Sequence, residues 1–153
     1  MKICNETEIK KLFGDRKTPS ETLYYMALCY YSALRVSEAL QYDGSNIITG
    51  KGGHERFVYF SKEAEKYAAD VNSKQLTRHA IYNRVYRASA RALGYGISPH
   101  DLRRSRATVL YKKTHNISKI QMLLGHKDAS TTFQYIIYEE NDVEKTYRFC
   151  FSR

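Results

Sequence analysis

The chain has 153 residues, 42% of them hydrophobic and 27% charged, a length and balance that suit one soluble domain with a real core. Three unclustered cysteines, Cys4, Cys29 and Cys150, argue against a disulfide framework or a zinc site and for a reducing compartment. No stretch approaches a membrane span and no apolar signal-peptide core opens the chain, so a cytoplasmic protein without a membrane partner is expected.

In chain order, Glu6–Phe13 reads as a short helix. A longer helix is expected over Ser20–Leu40, with Ser20 as N-cap after Pro19 and an apolar stripe of Leu23, Met26, Ala27, Tyr30 and Leu34. Residues Asn46–Thr49 and Arg56–Phe60 are β-branched or aromatic runs flanking Gly50-Lys51-Gly52-Gly53, a hairpin signal with Lys51 at the tip. Ser73–Leu93 reads as a helix with Ile81, Val85, Ala88 and Ala92 inward, an adjacent stripe of Arg84, Arg87 and Arg91, and a stop at Gly94 and Gly96. Ser98-Pro99-His100-Asp101 opens another helix with a capping box and proline in its first turn. Ile117–Leu124 is a short helix closed by Gly125. A helical segment around Thr131–Tyr138 and a last helix over Glu139–Phe149 complete an α+β fold, mostly α-helical, with a small antiparallel β-hairpin.

The net charge of +9 is uneven: residues 74–113 carry ten Lys or Arg against Asp101 alone, while the remainder balances. Such a block favours a polyanion, most often nucleic acid, over a basic face with no partner. Arg78, Arg84, Arg87, Arg91 and Arg104 are its candidate DNA-binding residues.

Some residues stand in unusual places. On the 101–111 helix the apolar face is Leu102, Ala107, Val109 and Leu110, and Arg103 falls inside it. A guanidinium there needs an anion, either a buried carboxylate or a phosphate at the edge of the core. Arg106 falls on the same face. Arg35 borders the stripe of its helix, and Glu38 is placed for an ordinary i,i+3 ion pair. Taken singly, Lys51 suits a solvated hairpin tip, and His100 and His126 suit helix ends. Taken together, two arginines, a lysine, two histidines and a tyrosine are what metal-free phosphodiester cleavage needs. The arginines bind non-bridging oxygens and stabilise developing charge. A lysine protonates the leaving oxygen, a histidine takes a proton or hydrogen-bonds the phosphate, and tyrosine is a known nucleophile type. The acidic clusters of a two-metal nuclease are missing from the sequence.

The order of these segments resembles the catalytic domain of the tyrosine recombinases, the phage-integrase family. The matching stretches are Ala33-Leu34-Arg35-Val36-Ser37-Glu38, Gly50-Lys51-Gly52-Gly53-His54-Glu55-Arg56, Pro99-His100-Asp101-Leu102-Arg103, and Leu123-Leu124-Gly125-His126 with Thr131-Thr132-Phe133-Gln134-Tyr135. The resemblance implies that Arg35 and Arg103 bind the phosphate, Lys51 is the general acid, His100 is a general base or hydrogen-bond partner, and His126 contacts the phosphate. Tyr135, nine residues after His126 as the family places its nucleophile, would form a 3′-phosphotyrosyl link that requires no metal, ATP or other cofactor. Glu38 and Asp101 match supporting positions.

The chain departs from the family pattern at Arg104, where histidine is frequent, and at Arg106, where an apolar or aromatic residue is usual. The short segment before Lys51 leaves room for a sheet of two strands. The resemblance further implies one catalytic domain over residues 1–153, without the N-terminal core-binding domain. Its partner would be double-stranded DNA, bound as a homo-oligomer, a tetramer, with the segment 139–153 docking onto a neighbouring protomer. The location would be nucleoid- or mobile-element-associated. A type IB topoisomerase-like relaxing enzyme and a non-catalytic DNA-binding protein are the rival readings.

Overall fold

The computed structural model describes residues 2–50, 52–69, 71, 76–127 and 131–132. The first helix, α1 (Glu6–Phe13), starts with a capping box. The Asn5 side chain accepts from the Glu8 N–H, and the Glu8 carboxylate accepts from the Asn5 N–H, both at 2.9 Å. That arrangement satisfies two amides which a helix start would otherwise leave bare.

The second helix, α2 (Ser20–Tyr30), is the centre of the molecule. Eight of its eleven residues are buried, because it packs against α3 (Val36–Leu40), α4 (Lys62–Ala68), α5 (Arg78–Leu93) and α6 (Pro99–Thr114). A helix surrounded in this way is apolar on every side and carries no single stripe. Its N-cap is Pro19, with no side-chain cap bond, and Ser20 is the first helical residue.

The long helix expected over Ser20–Leu40 is therefore two helices with a break at residues 31–35. Ala33 takes a left-handed backbone with φ +54, and Arg35 is extended and caps α3. The Arg35 N–H goes to the Glu38 carboxylate at 2.8 Å instead of to a carbonyl in the preceding turn, which ends the helical ladder.

The hairpin is present and shorter than the apolar runs suggested. Strands β1 (Ile47–Thr49) and β2 (Glu55–Phe57) pair antiparallel as Ile47↔Phe57, Ile48↔Arg56 and Thr49↔Glu55. Among the described residues they form a two-stranded sheet. Gly52 and Gly53, with φ +81 and +75, make the turn. Alternation puts Ile48 and Arg56 toward the body, while Ile47 and Phe57 stay exposed.

Helix α4 was not visible in the sequence. Only Ala64 on it is buried, so no periodicity marks it, although Ser61 caps it through the Ala64 N–H at 3.1 Å. Helix α5 begins after the Thr77 cap, later than Ser73, and ends on left-handed Gly94. At Gly96 a Cβ would lie 2.1 Å from the exposed Tyr86 ring, so a side chain there would require that ring to move.

Helix α6 opens with the expected Ser98–Asp101 capping box and Pro99 in its first turn. Its buried face is Pro99, Leu102, Arg103, Ser105, Ala107 and Thr108, with Val109 and Leu110 only half-buried. The small polar side chains turn inward because they close their hydrogen bonds locally. The Ser105 hydroxyl donates to the Asp101 carbonyl at 2.7 Å and accepts from the Cys4 N–H at 2.8 Å.

Arg106 is also resolved: its guanidinium stacks 5.4 and 5.5 Å from the Tyr30 and Tyr31 rings, replacing an apolar contact with a cation–π one. Helix α7 (Ile117–Leu124) ends on left-handed Gly125. It joins α6 around a small second core of Ala33, Ala107, Ile120 and Leu124. Among the described residues no helix is long and apolar enough to cross a membrane.

Candidate active site

Arg103 sits at the meeting point of the two cores. It is 0% exposed, and its Nη2 donates to the Leu124 carbonyl at the end of α7. A helix-terminal carbonyl is a good acceptor for a buried cation, since the last carbonyls of a helix lack intrahelical partners and carry its negative dipole end. Arg103 also lines a cavity of about 270 Å³ together with Arg35, Arg78, Tyr82 and His100. It is therefore a buried arginine held by a carbonyl, with a cavity beside it that other cations also line.

Arg35 reaches the same cavity from the α2–α3 break. Its side chain is 37% exposed, and its Nη1 donates to Glu38 Oε1 at 3.2 Å. Glu38 does more than the ordinary ion pair expected of it. Its Oε2 also accepts from Arg56 Nη2 at 2.7 Å, and Arg56 Nη1 donates to the Leu124 carbonyl at 3.0 Å. Arg56, only 8% exposed in its side chain, is thus pinned between α3 and the end of α7.

The two histidines complete the group. His126 follows Gly125, is buried, and its Nδ1 hydrogen-bonds the Thr132 hydroxyl at 2.9 Å. Burial, reinforced by Arg103, Arg35 and Arg56, lowers its pKa to about 4. His100, in the first turn of α6, is also lowered, first by burial and then by Arg104 and Arg103, with Asp101 opposing. Both rings are therefore neutral at pH 7 in the free protein and act as hydrogen-bonding groups within a field of arginines. That field has the sign to attract an anion, and a bound anion would raise both pKa values.

The structure thus brings together Arg35, His100, Arg103 and His126 from three separate segments of chain. Lys51 and Tyr135 lie outside the described residues, as does the segment 139–153. Of the glycines flanking Lys51, Gly50 borders the site, since a Cβ on it would lie 3.8 Å from Glu38 Oε1, whereas one on Gly52 would meet His54 at 3.5 Å and Lys127 Nζ at 3.8 Å.

Of the basic-block residues, Arg78 lines the cavity and is exposed, and Arg87 is exposed. Arg104 is half-buried beside His100. Arg84 and Arg91 are partly exposed and ion-paired, to Glu21 of α2 at 2.9 Å and to Asp15 in the loop after α1 at 2.6 Å. Two residues of this network escaped the sequence reading, Arg56 and Thr132. For Arg56 a signal existed: alternation along β2 places it on the same face as inward Ile48.

A helical domain with a short hairpin and a buried arginine at a cationic cavity defines a class, the tyrosine-recombinase catalytic domain. The solved XerA recombinase superposes with a TM-score of 0.81 at 20% identity over 99% of this chain and 66% of that one. XerH site-specific recombinase, bound to palindromic difH substrate in a post-cleavage complex, superposes at 0.80 with 22% identity, over 95% and 52%. Residues 2–142 match the Phage integrase family, and the chain belongs to it. Among curated relatives, tyrosine recombinase XerD of Pseudomonas aeruginosa is 32% identical over 140 residues, 72% of this chain and 47% of that protein. Tyrosine recombinase XerA of Saccharolobus solfataricus is 29% identical over 163 residues, 96% and 56% respectively. The chain spans about half the length of the curated relatives it matches.

Proposed function

We propose that this chain is the catalytic domain, residues 1–153, of a site-specific DNA recombinase or integrase that cleaves and rejoins DNA through a 3′-phosphotyrosyl intermediate. The observation that carries this reading is the gathering of Arg35, His100 and Arg103 around one cationic cavity, with the His126 ring in the field of the same arginines. In this reading Arg35 and Arg103 take the non-bridging oxygens of the scissile phosphate and stabilise the charge that builds on them in the transition state. Neutral His126 donates a hydrogen bond to the same phosphate. The Tyr135 oxygen attacks phosphorus and the bond to the 5′ oxygen breaks. The tyrosine proton passes to His100, and Lys51 gives its proton to the departing 5′ oxygen. The reverse sequence rejoins a strand. Because the phosphotyrosyl bond retains the energy of the bond broken, no metal, ATP or other cofactor takes part.

The partner is double-stranded DNA, with Arg78 and Arg87 as exposed cations of the basic block, Arg104 half-buried beside His100, and Arg84 and Arg91 carrying charge that Glu21 and Asp15 offset. The working form is a homo-tetramer on paired sites, the segment 139–153 docking onto a neighbouring protomer. The setting is cytoplasmic, on a nucleoid or a mobile element. Single-turnover cleavage of a nicked suicide duplex tests the reading. Arg103→Ala should cut on the order of 10²-fold more slowly or worse, while its affinity for the duplex changes little, since the other cations remain. Cleavage at the parent rate would remove Arg103 from the mechanism, and no cleavage by the parent would remove the reading itself.

A further inference from the structure

We propose that Arg56 is a positioning residue, locking the two phosphate-facing arginines into one rigid assembly by bridging the acceptors that each of them uses. The inference rests on the recombinase reading above and deepens it. The bonds form a continuous chain. Arg35 Nη1 and the Arg35 N–H both donate to the Glu38 carboxylate, and Arg56 Nη2 donates to that same carboxylate. Arg56 Nη1 then donates to the Leu124 carbonyl, which also accepts from Arg103 Nη2. Arg35 and Arg103 come from elements far apart in sequence, and Arg56 links the acceptors that each contacts.

Two physical consequences follow. First, Arg56 supplies Glu38 with a charged partner of its own. Without it, a nearly buried carboxylate would face Arg35 alone and draw the whole guanidinium away from the cavity. Second, Arg56 and Arg103 approach one carbonyl together, so the position of one guanidinium restricts the other. Arginine suits this task because its rigid planar fork fixes two acceptors in one geometry, which the flexible point charge of a lysine does not.

The surroundings are shaped for the arginine stem. Gly125 has φ +68, and a Cβ on it would lie 2.6 Å from Arg56 Cδ. The glycine that ends α7 thus leaves the space that the stem fills, immediately before His126. The same stem belongs to β2, so the hairpin is fastened to the site at this point.

The test is a double-mutant cycle on single-turnover cleavage of suicide DNA, run at a temperature where circular dichroism shows every variant folded. Arg56→Lys should slow cleavage by about tenfold to a hundredfold, the scale of a small misalignment of reacting groups, with duplex affinity within about threefold. In an Arg35→Lys background, where the clamp has already lost its fork, the same change should cost less than about threefold, because residues acting through one another are not additive. A merely structural Arg56 would impose the same factor in both backgrounds, and that result overturns the proposal, as does Arg56→Lys cutting at the parent rate. Should Arg56→Lys fail to fold, Arg56→Gln, which keeps a donor for one of the two acceptors, takes its place in the cycle with the same expected shrinkage, and an equal penalty in both backgrounds again overturns it. A parent chain that forms no adduct counts against the recombinase reading and this inference together, whereas an active parent with additive penalties counts against this inference alone.

Discussion

His126 shows how the site sets the state of a single side chain. It is buried behind Gly125, held by Thr132, and faces three arginines, so its pKa falls from the ordinary 6.5 to about 4. The sign of the linkage follows directly. As pH falls through 6.5 the unfolded chain takes up this proton and the folded one does not, so stability held above that pH is lost between 6.5 and about 4. NMR titration of the His126 ring in the DNA-free protein should give a midpoint well below 6.5, near 4, and a higher midpoint once duplex DNA is bound. A free-protein midpoint at or above the ordinary value would mean that the arginines do not surround this ring. Arg103 teaches a complementary lesson at the same scale. Its place on the apolar face of α6 was legible from helical geometry alone, whereas its acceptor, a carbonyl on another helix, was not.

At the level of elements, the junction between α2 and α3 does the most to build the site. Ala33 in the left-handed region turns the chain so that Arg35 leaves the helix axis and faces the cavity, and its methyl packs into the small core with Ala107, Ile120 and Leu124. Ala33→Gly would gain about 1 kcal/mol from the relieved backbone but lose about 1 kcal/mol from the missing methyl and about as much again from the looser unfolded chain, a net loss near 1 kcal/mol. Ala33→Val has no such compensation, since a β-branched residue fits neither the positive φ nor the packed space. Urea unfolding should show it less stable by roughly 3 kcal/mol, and an unchanged midpoint would show that the junction is not strained.

This is also where the sequence was hardest to read. The Ser98 cap, the Gly94 and Gly125 stops and the hairpin glycines announce themselves because each acts through its nearest neighbours. The break inside Ser20–Leu40 depends on Glu38 reaching back to the Arg35 N–H and on a helix buried from all sides, so a stripe of apolar residues runs on where the helix does not. Helix α4 buries too little to leave any pattern.

Across the whole molecule, the charge asymmetry divides in two. Part of the basic block, Arg84 and Arg91, pairs α5 with carboxylates of neighbouring segments, and part, Arg78 and Arg103, opens onto the cavity that Arg35 also lines. Net charge alone does not separate these uses, because it counts cations without locating the carboxylates they meet. The order of the four short motifs was the stronger guide, since it placed two arginines and two histidines that the fold then gathers from distant segments. The central claim is that this gathering serves a covalent exchange between DNA and one tyrosine. Tyr135 and Tyr138 lie three residues apart in sequence, and only one hydroxyl can align with the phosphorus at roughly 3–3.5 Å for in-line attack. Trapping the adduct on nicked suicide DNA and mapping the modified peptide tests the claim directly. The nucleotide should map to Tyr135, Tyr135→Phe should give no adduct despite retained DNA binding, and Tyr138→Phe should give an intact adduct. A peptide carrying the DNA on Tyr138, or an adduct that survives in Tyr135→Phe, would contradict it.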